Sequence, residues 1–185
     1  MLTHFADQEI PYTGAELRSG WLHGAFGLGG DAIAAFIGPC DVAPEHMVDL
    51  ADLAAGAKIR SRRMLHFIAE HGEPQLERTA LRQRLLVVIA AECLQAGRCL
   101  PDLARRGDDL FWRGRKLSVS IATTSPTSGL IHLGLNVDAK GAPVPAAALH
   151  ELGAEPRPLA LAIMEGYATE LASITAACEK VRRVP

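Results

Sequence analysis

Two short segments hold the side chains from which a polar site could be built. In residues 116–122, Lys116, Ser118 and Ser120 alternate with Leu117, Val119 and Ile121. In residues 129–137, His132, Gly134 and Asn136 alternate with Ile131, Leu133, Leu135 and Val137. Successive side chains of a strand point to opposite faces, so each segment reads as a strand with one aliphatic and one polar face. With the connecting loop centred near Pro126, Lys116 is expected opposite Asn136, Ser118 opposite Gly134 and Ser120 opposite His132. The shared face then carries an ammonium, two hydroxyls, an imidazole and an amide, with a recess at Gly134. That is hydrogen-bonding equipment for a polar small molecule. A polar face that simply meets water is the competing reading, and pattern alone leaves both open.

Other residues offer weaker chemistry. Gly27-Leu28-Gly29-Gly30 lacks dinucleotide-fingerprint spacing and precedes a strand rather than a helix. It reads as a loop tip or as a lid over a ligand. Cys40, His46, Asp49 and Asp52 are the residues on which a metal or a thiol nucleophile would draw; no metal is expected. Cys40 follows a strand and a turn, a place suited to a nucleophile.

The elements that must position these residues follow from period and punctuation. Residues 7–12 look extended, 15–26 form a short helix, and 32–37 a strand closed by Gly38-Pro39. Residues 45–56 are irregular or briefly helical. From Ala57 to Gly72 the period is helical, with Ser61, Met64, Leu65 and Ile68 on one face. Lys58, Arg62 and Arg63 lie largely on the other, and with Arg60 they read as a solvated helix surface. A second helix starts near Pro74 and stops at Gly97. A third carries Ala160, Ile163, Tyr167, Leu171, Ile174, Cys178 and Val181 at spacings of three and four. Strands are expected over 109–112, 116–122 and 129–137, with a tight turn at Arg113-Gly114. The fold class is α+β: a mainly antiparallel sheet flanked by helices.

Composition narrows the rest. The 185 residues fit one domain, 1–185, and 49% hydrophobic with 22% charged residues is ordinary for a globular chain. A formal net charge of −2 gives no reason to expect a nucleic-acid partner. No apolar run is long enough to span a bilayer, and no signal peptide is recognisable, so a cytoplasmic location without a membrane partner is expected. The four cysteines form no CxxC pair and are read as reduced thiols.

The stretch Asp108-Asp109-Leu110-Phe111-Trp112-Arg113-Gly114-Arg115-Lys116-Leu117, followed by Gly134-Leu135-Asn136-Val137, resembles the central hairpin of the biotin- and lipoate-protein ligase superfamily. Three further segments, residues 12–19, 46–50 and 117–123, resemble an uncharacterised family, a domain of unknown function related to those ligases. The resemblance implies a biotin/lipoate-ligase-like fold and a ligase- or acyltransferase-like activity on a small carboxylic acid. It further implies Lys116 as electrostatic catalyst, ATP and Mg²⁺ as candidate cofactors, and an acyl-adenylate as candidate intermediate. Ser118, Ser120, His132 and Asn136 would line the ligand site, with Arg18, Ser19, Gly29 and Gly30 closing it. Related acyltransferases use a cysteine, for which Cys40 is the candidate. A non-catalytic binding protein on the same scaffold is the alternative, and a homo-oligomer is compatible with either. The sequence departs from the ligases in two places. Residues 24–31 hold glycines but no arginine, and Val119 stands where the ligases favour glycine.

Overall fold

The computed structural model describes residues 1–184. Along the chain run β1 (Leu2–Phe5), α1 (Trp21–Phe26), β2 (Ala32–Asp41), α2 (Leu50–Ala54), β3 (Arg60–His71) and α3 (Leu76–Gln95). They are followed by β4 (Leu103–Arg106), β5 (Asp109–Trp112), β6 (Arg115–Lys116), β7 (Ser118–Thr124), β8 (Gly129–Asp138) and α4 (Pro156–Glu179). Five strands form one sheet in the order β1-β2-β3-β8-β7, and β4-β5-β6 form a second, smaller one. Every neighbouring pair is antiparallel except β1 with β2. The α+β expectation holds. No helix among the described residues is long and apolar enough to cross a membrane, and all four cysteines are free.

Both faces of the large sheet are buried. On one, Ile33, Leu65, Phe67 and Leu133 meet Leu86, Val87, Ile163 and Tyr167 of α3 and α4. On the other, Phe36, Met64, Ile68 and Leu130 lie under Tyr12, Leu17 and Leu22 from the N-terminal segment and α1. This double burial explains the largest departure from the sequence reading. Residues 60–71 form a central strand, not a helix, because β3 pairs with β2 on one side and β8 on the other. A strand covered on both faces reads as a continuous apolar run and loses the alternation that marks half-buried strands.

The two long helices lie where their periods place them. α3 starts two residues after Pro74, and Gly97 beyond its end takes the left-handed conformation, φ 68°. α4 carries Pro156 in its first turn and buries Leu159, Ala160, Ile163, Met164 and Tyr167. The expected helix over 15–26 shrinks to α1. Upstream of it, the Glu16 carboxylate accepts the Thr13 N–H, and Glu70 accepts from the Ser19 hydroxyl and the Gly20 N–H. Such side-chain bonds hold backbone groups in turns that a helix would otherwise use.

Two glycines are dictated by geometry. Arg113 and Gly114, φ 51° and 74°, make the β5–β6 connection, where a two-residue hairpin requires left-handed residues. At Gly38 a Cβ would stand 1.9 Å from the Ile10 carbonyl oxygen, because residues 6–12 lie directly on β2. There Ile10 and Tyr12 donate their N–H groups to the Ile37 and Pro39 carbonyls. That overlay carries Tyr12 across the sheet.

Candidate functional site

Lys116 is placed by backbone pairing on both sides. It pairs with Phe111 across the small sheet, its N–H donates to the Pro145 carbonyl, and its carbonyl accepts the Ala147 N–H. The same carbonyl accepts from Asn136 Nδ2 at 3.3 Å, and Asn136 Oδ1 accepts the Ser61 hydroxyl at 2.9 Å. Asp109 lies two residues before Phe111 and so projects from the same face of the ribbon as Lys116. Their side chains meet at 2.7 Å between Nζ and Oδ2. Burial pushes the Asp109 carboxyl above its usual range, while the Lys116 ammonium pulls it back down. Its second oxygen, Oδ1, is buried without a hydrogen-bond partner among the described residues.

The pair stands in the wall of a cavity of about 350 Å³. Its floor is the sheet: Met64, Val119, Ile121, His132 and Asn136, with Tyr12 beside them. Its cover is the connection between β2 and β3, which supplies His46, Asp49, Asp52 and Lys58, together with Arg60 at the start of β3. Charge is therefore concentrated in the wall and cover. The floor is neutral: Tyr12 lies on His132 with ring centroids 3.9 Å apart and planes 6° from parallel. His132 Nε2 is 3.0 Å from His66 Nδ1, and His66 Nε2 is 3.3 Å from the Gly38 carbonyl. Burial lowers both imidazoles, His66 to about 3 and His132 well below its ordinary value, so both are neutral at pH 7.

The expected site residues separate under this geometry. Lys116, Ser120, His132 and Asn136 line the cavity. Ser118 does not. The loop joining β7 to β8 has four residues, 125–128, and sets Ser118 opposite Leu135 and Val119 opposite Gly134, one step from the expected register. A one-residue slip exchanges the two faces of a strand. Val119 and Ile121 therefore face the cavity, while Ser118 is fully buried and accepts the Leu110 N–H at 2.7 Å. Ser120 reaches the cavity from the edge strand, where its hydroxyl donates to the Asp108 carbonyl and accepts from Gln83.

Four residues assigned to the ligand site lie outside the cavity. Ser19 hydrogen-bonds Glu70 and Thr127 on the surface. Arg18 donates to the Ala15 carbonyl and borders a shallow depression beside His46 and Val48. Gly29 and Gly30 precede β2 at the end where Ala32 pairs with Glu70, whereas the cavity-lining Met64 pairs with Gly38. Six residues of strand put roughly 20 Å between the two places. The glycines also run into Asp31, which is tied to the Gly72 N–H and to His71. They do not form a lid over this cavity. Cys40 is buried and joined to Tyr12 by a parallel β-bridge, and burial pushes its thiol up to about 12, which disfavours the thiolate that a nucleophile needs.

The sequence reading missed Asp109, Tyr12, Lys58 and Arg60. The first had a usable signal, the acidic residue ahead of the hairpin. The cations were concealed by the helical reading of residues 57–72.

Several known proteins resemble this chain in sequence or in fold. The chain is 38% identical over 143 residues to an uncharacterized protein of Methanocaldococcus jannaschii, covering 75% of the chain and 64% of that relative's length. A protein of unknown function from Pyrococcus horikoshi aligns with a TM-score of 0.93 at 37% identity, covering 100% of this chain and 99% of that one. A mutant biotin protein ligase of Aquifex aeolicus, in complex with biotin, aligns at 0.60 and 15% identity over 93% and 70% of the two chains. The fold is the one shared by biotin and lipoate protein ligases. Matched over residues 1–182 by the family model described as a domain of unknown function, DUF366, the chain belongs to that family.

Proposed function

We propose that this protein activates a small carboxylic acid, as a ligase or acyltransferase, with Lys116 as the electrostatic catalyst. The observation that carries the reading is the Lys116–Asp109 pair, 2.7 Å apart in the wall of a 350 Å³ cavity. In acyl-adenylate formation a carboxylate oxygen attacks the α-phosphorus of ATP. An O–P bond forms and the bond to the pyrophosphate leaving group breaks. Negative charge gathers on the transferring phosphoryl oxygens, and an ammonium in a half-enclosed wall opposes it at short range. Asp109 holds that ammonium in place, and Asn136 holds the Lys116 backbone. Lys58 and Arg60 in the cover supply cations for the phosphates.

Mg²⁺ bound with nucleotide takes one or two carboxylates, with phosphates and water completing its shell. The unpartnered Asp109 Oδ1 fits that demand, and no cluster of three or more acidic, histidine or cysteine ligands exists among the described residues. Asp109 is thus the residue to hold such an ion. A binding protein that holds the acid without turning it over is the second reading. It is favoured by the completeness of the Lys116–Asp109 pair before any ligand enters.

Incubation with ATP, Mg²⁺ and a panel of small acids should release pyrophosphate. Lys116→Ala should lower the rate about 10²–10³-fold, the usual loss for one electrostatic contact of this type. Lys116→Arg should not restore it, since a planar fork does not replace a compact ammonium. Saturable binding of an acid without pyrophosphate release would favour the second reading.

A further inference from the structure

The floor of the cavity has a hydrogen-bonding polarity fixed from outside it. The Gly38 carbonyl only accepts, so the nitrogen facing it, His66 Nε2, must carry the proton. His66 Nδ1 is then a bare acceptor, and the bond it shares with His132 at 3.0 Å must be donated by His132 Nε2–H. A neutral imidazole has one N–H, so the proton on Nε2 leaves His132 Nδ1 unprotonated. No bond to that nitrogen forms among the described residues, although His132 lines the cavity. Phe36 packs on His66 at 5.0 Å between centroids, and Tyr12 stacks on His132. A half-turn of either imidazole would keep its stack but put a carbon where each bonded nitrogen stands, so the two hydrogen bonds hold the rings in this orientation.

We infer that His132 selects the ligand: the backbone carbonyl of Gly38, acting through His66, fixes His132 as an obligate acceptor. The site therefore takes an acid whose far end is flat, uncharged and bears an N–H or O–H donor. This rests on the reading that the acid's carboxylate lies at Lys116. Asn136, which bonds the Lys116 carbonyl, stands four residues from His132 on one strand, roughly 13 Å. Along that span the floor carries Met64 beside Asn136, Val119 beside Gly134 and Ile121 beside His132, which suits an apolar middle. A second charge at the far end would rest on the neutral rings of the floor. An acceptor there would face the His132 lone pair.

Nitrogen-15 NMR of histidine-labelled full-length protein at pH 7 should show His66 and His132 protonated on Nε2 and bare on Nδ1. A proton on His132 Nδ1 would overturn the inference, whatever the outcome of binding. Binding is probed with indole-5-carboxylate and benzofuran-5-carboxylate, which differ in shape very little and in one N–H. The indole should bind about ten-fold or more tightly and shift the His132 Nδ1 resonance. His132→Phe, which keeps a ring on Tyr12, should abolish the preference. His66→Phe should weaken it by freeing the His132 tautomer. Lys116→Ala should weaken both probes and leave their ratio unchanged. Equal affinity for the two probes, or no binding of either at millimolar concentration, would overturn the inference. A preserved ratio with no Lys116 dependence would instead overturn the placement of the carboxylate and leave the role of His132 standing.

Discussion

Two imidazoles enclosed in the second core make stability depend on pH in a direction that can be stated in advance. Below pH 6.5 the unfolded chain takes up protons at His66 and His132 that the folded chain refuses. Stability contributed by these depressed groups is full above pH 6.5 and is lost as pH falls towards the folded value, about 3 for His66. The slope is about 1.4 kcal/mol per pH unit for each fully titrating imidazole. Urea unfolding at pH 7, 6 and 5 should therefore show the steepest loss over the last unit. Replacing both histidines with phenylalanine should flatten the curve by about 2 kcal/mol between pH 6 and pH 5. Parallel curves for parent and double variant would mean that the pair is not held neutral. The same neutrality underlies the polarity of the cavity floor, so the measurement bears on recognition as well as on stability.

Among the elements, β2 and the segment laid on it decide whether the floor exists. Gly38→Ala would drive a methyl group against the Ile10 carbonyl and lift residues 6–12, and with them Tyr12, from the sheet. A loss of about 1–3 kcal/mol is expected for such overpacking. Amide exchange at Ile10 and Tyr12 should accelerate, while the amides of α4 remain protected. Unchanged protection at Ile10 and Tyr12 would show that the overlay tolerates the side chain. No sequence pattern announced this overlay, because its cause is a backbone approach from an irregular segment. What the sequence made legible were the elements with one buried face. α3 and α4 show their period, and β8 shows its division into His132, Gly134 and Asn136 against Leu133 and Leu135. β3 was illegible because both its faces are covered. β7 was half legible: its existence followed from alternation, but its register depended on whether the turn held an odd or even number of residues. Here the Ser125 hydroxyl accepts the Thr127 and Ser128 N–H groups, closing an even turn that reverses the strand's faces. Lys116 kept its place at the cavity because it belongs to β6 and the small sheet, on the far side of Leu117 from that slip.

Across the whole molecule the two faces of the large sheet divide the work: α3 and α4 supply the main core, and the opposite layer holds the cavity. α4 outlasts its own role in that core. Leu159, Ile163, Met164 and Tyr167 are buried and Leu171 is half-buried, but residues 172–179 are exposed on every side. At 1.5 Å per residue, roughly 12 Å of helix stands clear of the core. Its stripe of Ile174 and Cys178 continues the spacing of the buried residues without burying itself, Ile174 being 43% exposed, and Val181, expected in the same helix, lies beyond its end at Glu179. An apolar stripe in water contributes little to the fold, because burial is the source of its stabilisation. An isolated helical end also frays more readily than one that is packed. Truncation after Ser173 should accordingly leave the free energy of unfolding in urea within about 0.5 kcal/mol of the full chain, the range of an exposed surface change. Truncation after Gly166 would remove Tyr167, and with it the hydroxyl 3.0 Å from the buried His71 Nε2. A loss of about 3–5 kcal/mol is expected there, as for deletion of a large buried aromatic. If the first truncation proves as damaging as the second at a protein concentration where the chain is monomeric, the exposed half of α4 is integral to the fold. Its apolar spacing would then have a structural cause that the packed core does not provide.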